Sequence, residues 1–370
     1  MRVGVFSAHS APYRDPTLSA VQTHNNLELV TINYRSTCSY QPYLGEPASS
    51  AVEPARVCQG TSHGSSEMLS DRFDVVFISG YAHPAARKVY WASLRRRVPI
   101  VLTTDTEGNG LRTMVQSAWR ACVAPAIRHS ADVLWVPGIA ARSYWRSRGF
   151  SDDRIFEGAY CLDGQSISLQ TEALRSCREA LRRSFGISPE EWAFLFIGRL
   201  VPQRGLTHLL SAFAGLLQSS PRSVLMIVGD GPLRHEVRQL VQKFGISGSV
   251  RLLPPMPFSK LPQAYVAADA YVQPSVYEPY SLATLQAALS RLPIIATSAV
   301  GAIYDLNDGG RATLTVPHSS TVALCSAMSE MTKREHDVLA MTAQAHERAI
   351  RRSTEWAASQ FEQAARRAAR

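Results

Sequence analysis

The loop at 274–281 leads into a run with helical spacing, and its single acid is Glu278. The free backbone N–H groups of Ser281 and Leu282 at the helix start, together with the helix dipole, favour an anion such as a phosphate. Because a carboxylate repels that anion, we expect Glu278 to face sugar hydroxyls, which donate strong hydrogen bonds to it. A capping role at the helix N-terminus is the alternative interpretation. Gln286, eight residues after Glu278, is expected to reach a ribose or a neighbouring helix.

Two arginines lie in the next candidate loop, GRLVPQRG at 198–205. Arg199 follows an apolar run, and Arg204 precedes a helical run that begins near Gly205. Guanidinium groups pair well with phosphate oxygens, so two permanent cations on one turn suit a diphosphate. Two solvated loop arginines are an equally weighted interpretation on sequence position alone.

Two further turns are rich in small residues. VGDGP at 228–232 carries Gly229 and Gly231 directly after an apolar run, and TSAVGAIYD at 297–305 follows another. Glycines at such places let a ligand approach the backbone closely, although a plain tight turn explains them equally well. The Gly-x-Gly turn lacks the third glycine and the spaced acid of a dinucleotide-binding fingerprint, which disfavours a nicotinamide-dependent oxidoreductase.

Alternating strand-like and helix-like runs must position these loops. Apolar runs such as VGVFS (3–7), FDVVFISG (73–80), AFLFIG (193–198) and PIIATS (293–298) alternate with runs of helical spacing, which indicates parallel sheets covered by helices. The predicted fold class is α/β, with two doubly wound Rossmann-like domains facing a cleft. Ligands of such folds bind beyond the carboxyl ends of the strands, where the loops described above fall.

The length of 370 residues favours two domains over one. We predict an N-terminal domain at 1–170, a C-terminal domain at 171–350 and a terminal helix at 351–370 that packs back towards the first domain. The polar, helical interval at 163–190 is interpreted as the connection between the domains.

Four motifs follow one another in order between about residues 175 and 320: GRLVPQRG, VGDGP, PSVYEPYSLATLQAAL and PIIATSAVG. In this combination the chain resembles the retaining GT-B glycosyltransferases of family 4, the glycosyl transferases group 1. The first domain resembles them less. The resemblance implies a metal-independent transfer of a sugar from a nucleotide-diphosphate sugar to an acceptor hydroxyl, with a UDP- or GDP-sugar as donor and no separate cofactor. The resemblance also implies that the second domain binds the nucleotide sugar and that the first domain binds the acceptor.

The resemblance also implies roles for individual residues. Arg199 and Arg204 would hold the donor diphosphate, with Arg204 in place of the family's lysine. Glu278 would contact the donor sugar near its 3-hydroxyl, and Gln286 would bind the ribose where the family has a second glutamate. Asp105 stands where the family often has a histidine. The implied catalytic residues are thus Arg199, Arg204, Glu278 and Asp105; the donor-binding residues are Gly198, Gly229, Gly231, Leu253, Tyr280, Ser281, Leu282 and Gln286; and no metal ligands are implied.

Several departures from the family pattern keep other functions open. Ser281 replaces a usual glycine, Gln286 replaces a glutamate, and Asp105 replaces a histidine. The first alternative is a non-catalytic nucleotide-sugar-binding partner subunit. The second is a GT-B-type nucleotide-sugar 2-epimerase, which would need acid and base groups near the sugar C2.

Composition sets the remaining expectations. A net charge of +9 leaves a polyanionic partner open, but no nucleic-acid-binding signature is present. No apolar run is long enough to span a membrane, and six scattered cysteines without a Cys-x-x-Cys pair indicate reduced thiols in a cytoplasmic protein. The basic, aromatic segments 88–97 and 143–150 suit weak peripheral contact with the inner face of an anionic membrane. Surface helices whose aromatics pack inward are the favoured interpretation of both. The oligomeric state is not indicated.

Overall fold

The structure is a computed structural model that describes residues 1–7, 14–24, 27–33, 56–57, 72–81, 83–105, 124–307, 311–333 and 335–370. These residues form two compact units. The first contains the described residues up to 163 together with 352–370, and the second contains 164–351. The units therefore change at 163/164 and 351/352, whereas the sequence predicts boundaries at 170/171 and 350/351.

The first unit is a parallel sheet of seven strands covered on both faces by helices. The strand order is β3-β2-β1-β4-β5-β6-β7. The strands are β1 (Arg2–Ser7), β2 (Glu28–Asn33), β3 (Arg56–Val57), β4 (Val75–Ser79), β5 (Ile100–Thr103), β6 (Val133–Val136) and β7 (Ile155–Glu157). The helices are α1 (Asp15–His24), α2 (Pro84–Arg96), α3 (Ile139–Ser147) and the C-terminal helix Thr354–Ala368, and residues 124–130 are also helical.

Alternate residues of each strand face opposite helical layers. Val76, Ile78 and Leu102 pack against α2, 124–130 and α3. Val75, Phe77 and Val101 pack against α1 and the C-terminal helix. Both faces are thus buried, which explains why these strands read as continuous apolar runs.

The C-terminal helix belongs to the core of the first unit. The ring of Phe361 stacks on Phe77 with centroids 3.8 Å apart and meets Trp135 edge to face at 5.2 Å. Arg352, just before the helix, pairs with Glu157 at 3.0 Å. Aromatic pairs of this kind add to the stabilisation from buried area, so residues 352–370 are an integral part of this unit.

The second unit is a parallel sheet of six strands in the order β10-β9-β8-β11-β12-β13. The strands are β8 (Trp192–Ile197), β9 (Ser223–Val228), β10 (Val250–Leu253), β11 (Ala270–Gln273), β12 (Ile294–Thr297) and β13 (Leu314–Val316). The helices are α4 (Gly164–Leu174), α5 (Arg178–Ser184), α6 (Leu206–Leu216), α7 (Arg234–Lys243), α8 (Leu261–Ala267), α9 (Leu282–Leu289), α10 (Ala302–Leu306), α11 (Thr321–Met331) and α12 (Glu335–Arg351), which makes the C-terminal helix α13. The two doubly wound α/β sheets confirm the predicted fold class.

Residues 163–190 are not simply a connection, as the sequence suggested, because α4 and α5 pack within the second unit. The side chain of Arg182 is 5% exposed and its Nη1 pairs with Asp269 Oδ2 at 2.9 Å. The same carboxylate oxygen accepts a hydrogen bond from the Ala193 N–H at 2.7 Å. Arg178 binds the other oxygen of Asp269 at 2.6 Å. This charged cluster fastens α5 to the starts of β8 and β11.

No helix in the described part of the chain combines the length and apolar character needed to cross a membrane.

Candidate functional site

The strand order of the second sheet reverses between β8 and β11. The chain starts at β8, adds β9 and β10 on one side, and then adds β11, β12 and β13 on the other. In such sheets a crevice opens beyond the carboxyl ends of the two strands at the reversal, and ligands bind there. The loops at 198–205 and 274–281 follow these two strands, so the fold brings the two principal sequence motifs to one place.

Backbone contacts join the two loops directly. The Val276 N–H donates to the Gln203 carbonyl at 2.9 Å. Gly205 has a φ of 66°, and a Cβ at this position would lie 2.1 Å from the Pro274 carbonyl oxygen. Only glycine combines this conformation with so close an approach, so Gly205 fixes the spacing of the two loops.

Arg204 and Glu278 form an ion pair across these loops. Arg204 Nη1 contacts Glu278 Oε2 and also donates to the Tyr277 carbonyl at 3.3 Å. Only 23% of the Arg204 side chain and 11% of the Glu278 side chain are exposed. Partial burial strengthens the pair, which holds both groups in a fixed orientation. Glu278 thus offsets the charge of Arg204.

The Glu278 backbone is held by the loop after β12. Its N–H donates to the Ala299 carbonyl at 3.1 Å, and its carbonyl accepts from the Gly301 N–H at 3.0 Å. The Tyr280 carbonyl accepts from the Ala302 N–H at 2.8 Å, and Tyr280 itself is 2% exposed. The small-residue turn at 297–305 therefore supports the Glu278 loop, and Tyr280 offers little surface to a ligand.

Ser281, rather than Glu278, caps the N-terminus of α9. Its Oγ accepts hydrogen bonds from the Thr284 N–H at 3.2 Å and from the Thr284 hydroxyl at 2.8 Å. The capping interpretation of Glu278 is therefore wrong. Ser281 has a φ of 83° and a ψ of 88°, a left-handed conformation that is strained for any residue with a Cβ. This strain explains why a glycine suits the position. Leu282 begins α9. The backbone N–H groups of the first turn of α9 point out of the helix N-terminus.

The glycines of the β9 loop are required by a neighbouring loop. A Cβ on Gly229 would lie 2.0 Å from the Gly198 carbonyl oxygen, and one on Gly231 would lie 2.5 Å from the Leu200 carbonyl oxygen. The Leu200 N–H donates to the Asp230 carbonyl at 2.9 Å. The close backbone approach expected of these residues is thus satisfied within the protein, where the β8 and β9 loops cross.

Arg234, which sequence reasoning missed, binds the β9 and β10 loops together. Its Nη1 donates to the Gly229 carbonyl at 2.8 Å and reaches the Leu253 carbonyl at 3.5 Å. The Gly229 N–H also donates a hydrogen bond to the Leu253 carbonyl at 3.3 Å. Leu253 ends β10 at the same sheet edge, so the predicted donor residues after β8, β9, β10 and β11 share that edge.

Gln286 is buried inside the unit, with 2% of its surface exposed. The Tyr265 hydroxyl lies 3.3 Å from Gln286 Oε1 and donates to the Ala283 carbonyl at 2.9 Å. Gln286 Nε2 has no hydrogen-bond partner among the described residues. A buried amide donor without an acceptor is destabilising, and its contact with a ribose stays a prediction.

A second polar cluster lies beneath the Glu278 loop. Burial, followed by the negative charge of Glu278, raises the pKa of the Tyr271 hydroxyl, which therefore stays protonated. That hydroxyl donates to Gln273 Oε1, and Gln273 Nε2 donates to Ser275 Oγ at 2.8 Å. This chain of hydrogen bonds orients the polypeptide where β11 becomes the loop that carries Glu278.

Asp105 lies in the first unit, at the carboxyl end of β5. Asp105 is exposed, and its Oδ2 accepts a hydrogen bond of 3.2 Å from the Tyr160 hydroxyl. The sequence did not predict this contact of Tyr160. A carboxylate held in this way is able to accept a hydrogen bond from a hydroxyl group of a ligand. Its catalytic role stays a prediction.

Comparison with known proteins finds similarity in sequence and in fold to glycosyltransferases. Residues 178–349 match the family described as glycosyl transferases group 1. The chain is 33% identical over 125 residues to an uncharacterized glycosyltransferase of Methanocaldococcus jannaschii, covering 34% of this chain and 32% of that protein. It is 32% identical over 154 residues to the D-inositol 3-phosphate glycosyltransferase of Actinosynnema mirum, covering 39% of this chain and 37% of that protein. The matches thus span about a third of these relatives.

Similarity of fold extends over nearly the whole chain. The structure of Anabaena HepE in complex with UDP-glucose aligns with a TM-score of 0.76 at 16% sequence identity, covering 98% of both chains. At this identity the likeness is one of fold, and it includes both units.

Proposed function

We propose that the chain transfers a sugar from a nucleotide-diphosphate sugar to an acceptor hydroxyl, because residues 178–349 match the glycosyl transferases group 1 family. The observation that carries the proposal is the joining of the β8 and β11 loops by the Arg204–Glu278 ion pair at the strand-order reversal. A helix N-terminus follows in the second loop, so cations and backbone donors lie at one sheet edge. This combination suits a diphosphate.

In the proposed complex the donor diphosphate lies against Arg199, Arg204 and the first-turn amides of α9. The donor is a UDP- or GDP-sugar, and its sugar hydroxyls donate hydrogen bonds to Glu278. Glu278 then has two tasks, since it also orients Arg204. The base and ribose lie toward Leu253 and Gln286, with the ribose contact depending on access to the buried Gln286 amide.

We propose that transfer retains the configuration at the sugar C1. The bond from C1 to the diphosphate oxygen breaks, a bond from C1 to the acceptor oxygen forms on the same face, and the acceptor proton passes to the departing phosphate. Negative charge grows on the diphosphate during this step. Arg199, Arg204 and the α9 amides would stabilise that charge without a metal ion, and losing one such donor commonly costs ~3 kcal/mol of barrier.

A donor panel tests the proposal. The protein is incubated with UDP-, GDP-, TDP- and ADP-sugars, and nucleoside diphosphate release is measured with and without acceptor alcohols. We expect release with one base, and about a hundredfold or greater loss of turnover in Arg199→Ala. Arg222→Ala is the control, because exposed Arg222 precedes β9 at the opposite edge of the same sheet.

The same panel separates the rival functions. Isomerised donor sugar without release of nucleoside diphosphate would show a 2-epimerase. Donor binding without turnover across a broad set of acceptors would show a non-catalytic binding subunit. Equal turnover in Arg199→Ala and the native protein, with unchanged thermal unfolding, would contradict the assigned diphosphate site.

A further inference from the structure

The helical layer on one face of the first sheet carries an unusual concentration of positive charge. The layer consists of α2, residues 124–130 and α3. Residues 84–97, 124–130 and 139–148 contain nine Lys and Arg residues and no Asp or Glu. The nine positive charges of this layer equal the net charge of the whole chain, which is +9.

The two aromatic segments of this layer differ in orientation. Around α3 the aromatic rings pack inward, since Tyr144, Trp145 and Phe150 are 8%, 1% and 3% exposed. On α2 the opposite holds, because Trp91 is 63% exposed. The inward-packing interpretation therefore applies to 143–150 and fails for Trp91.

Cations surround Trp91 on the outer face of α2. Arg87, Lys88 and Arg95 are exposed, as is Trp91. At 3.6 residues per turn these four side chains span an arc of about 100°, with Trp91 between Arg87 and the other two. Val89 and Ser93, on the inner side of the helix, are fully buried. We call Arg87, Lys88, Trp91 and Arg95 the α2 basic face.

Two described acids near this layer have partners outside α2. Asp152 pairs with Arg142 of α3 at 2.8 Å and with Arg146 at 3.4 Å. Asp132 accepts a hydrogen bond from the Ile100 N–H at 2.8 Å. Asp152 thus offsets charge on α3, whereas Arg87, Lys88 and Arg95 of α2 are exposed cations.

We propose that the α2 basic face docks on an anionic phospholipid bilayer. The helix lies along the surface of the unit, which allows all four side chains to meet a flat partner at once. Arg and Lys would contact lipid phosphates, and the indole of Trp91 would enter the interfacial region that tryptophan favours. A single-stranded nucleic acid would instead need a groove that follows its backbone, and the face is a convex helix. Charge complementarity together with one exposed indole therefore favours a membrane.

Vesicle co-sedimentation of the full chain is the first test. We expect binding to phosphatidylcholine vesicles that contain phosphatidylglycerol, and weak binding to phosphatidylcholine alone. Arg87→Gln/Lys88→Gln should lower the partition coefficient about 25-fold, at roughly fivefold for each cation. Trp91→Ala should lower it about tenfold through lost apolar contact.

Matched variants on the second unit control for general charge and apolarity. Arg183→Gln/Arg222→Gln removes the same charge from exposed sites, and Leu339→Ala removes an apolar side chain that is 70% exposed. Both should bind vesicles like the native protein. Brominated lipid should quench part of the tryptophan fluorescence of the native protein, and Trp91→Phe should abolish that quenching.

Either of two results would overturn the proposal. One is equal vesicle binding by the native protein and by both α2 variants with their folds intact. The other is absence of vesicle binding while heparin or DNA is retained through Arg87 and Lys88, which would identify a soluble polyanion as the partner.

Discussion

The left-handed conformation of Ser281 makes a quantitative prediction about the N-terminus of α9. Ser281→Ala and Ser281→Gly both remove the Oγ that accepts from Thr284, and they differ only in the Cβ. At a φ of 83° that Cβ costs about 1–2 kcal/mol of folding free energy, which glycine avoids. The glycine variant should therefore be more stable than the alanine variant, and this difference should exceed the Gly–Ala difference at an unstrained helix cap.

Ser320 provides the matched reference, because it caps α11 with a φ of −102°. Its Oγ accepts from the Ala323 N–H at 3.3 Å, so Ser320→Ala and Ser320→Gly also remove a capping hydrogen bond. The ordinary preference for glycine over alanine at a cap is common to both sites and cancels. The stability difference between Gly and Ala at 281 should exceed that at 320 by about 1–2 kcal/mol.

Urea unfolding of the four variants, followed by circular dichroism, measures this difference. The melting temperatures should show a corresponding extra gap of ~2–8 °C for a unit of this size. An equal Gly-minus-Ala difference at the two sites would refute the strain argument. It would also remove the physical reason given for a glycine at the start of this helix.

Two other substitutions test buried polar groups of the second unit. Gln286→Glu places a carboxyl where only 2% of the residue is exposed, and burial raises the pKa of that carboxyl in the folded state. The destabilisation relative to the native protein should therefore be smallest at low pH and grow as pH rises from the unfolded-state pKa to the folded-state pKa. Equal destabilisation relative to the native protein at pH 5 and pH 8 in urea unfolding would contradict this burial. Arg182→Ala leaves Asp269 with one charged partner, Arg178, and should cost roughly 3–5 kcal/mol. Arg178→Ala, at a side chain that is 36% exposed, should cost about 1 kcal/mol or less. Similar losses from the two arginine variants would show that the cluster does not depend on the buried pair.

Strands that lie in continuous apolar runs were well predicted from the sequence, and the three-residue strands β7 and β13 were not. β1, β4, β8 and β9 are buried on both faces, and their continuous apolar runs predicted them. β7 and β13 have three residues each, too few for a periodic pattern. Their pairing depends on neighbours that the local sequence does not specify.

The positions of the site residues could be predicted, but their partners could not. Parallel strands place their following loops at one edge, which brought Arg204 and Glu278 together although they are 74 residues apart in the chain. Nothing local to either residue indicates that they pair. The sequence also did not indicate why Gly229 and Gly231 are glycines. Each lies against the backbone of a neighbouring loop, at Gly198 and Leu200 respectively, and this contact explains them without a ligand.

Calorimetric titration with nucleoside diphosphates and monophosphates tests the central claim most directly. If Arg199 holds the diphosphate, UDP or GDP should bind more tightly than its monophosphate, and Arg199→Gln should narrow that gap by about 10–100-fold, corresponding to a charged hydrogen bond of roughly 1.5–3 kcal/mol. Arg222→Gln, at the opposite sheet edge, should leave the gap unchanged. A gap of the same size in Arg199→Gln and the native protein would contradict the account.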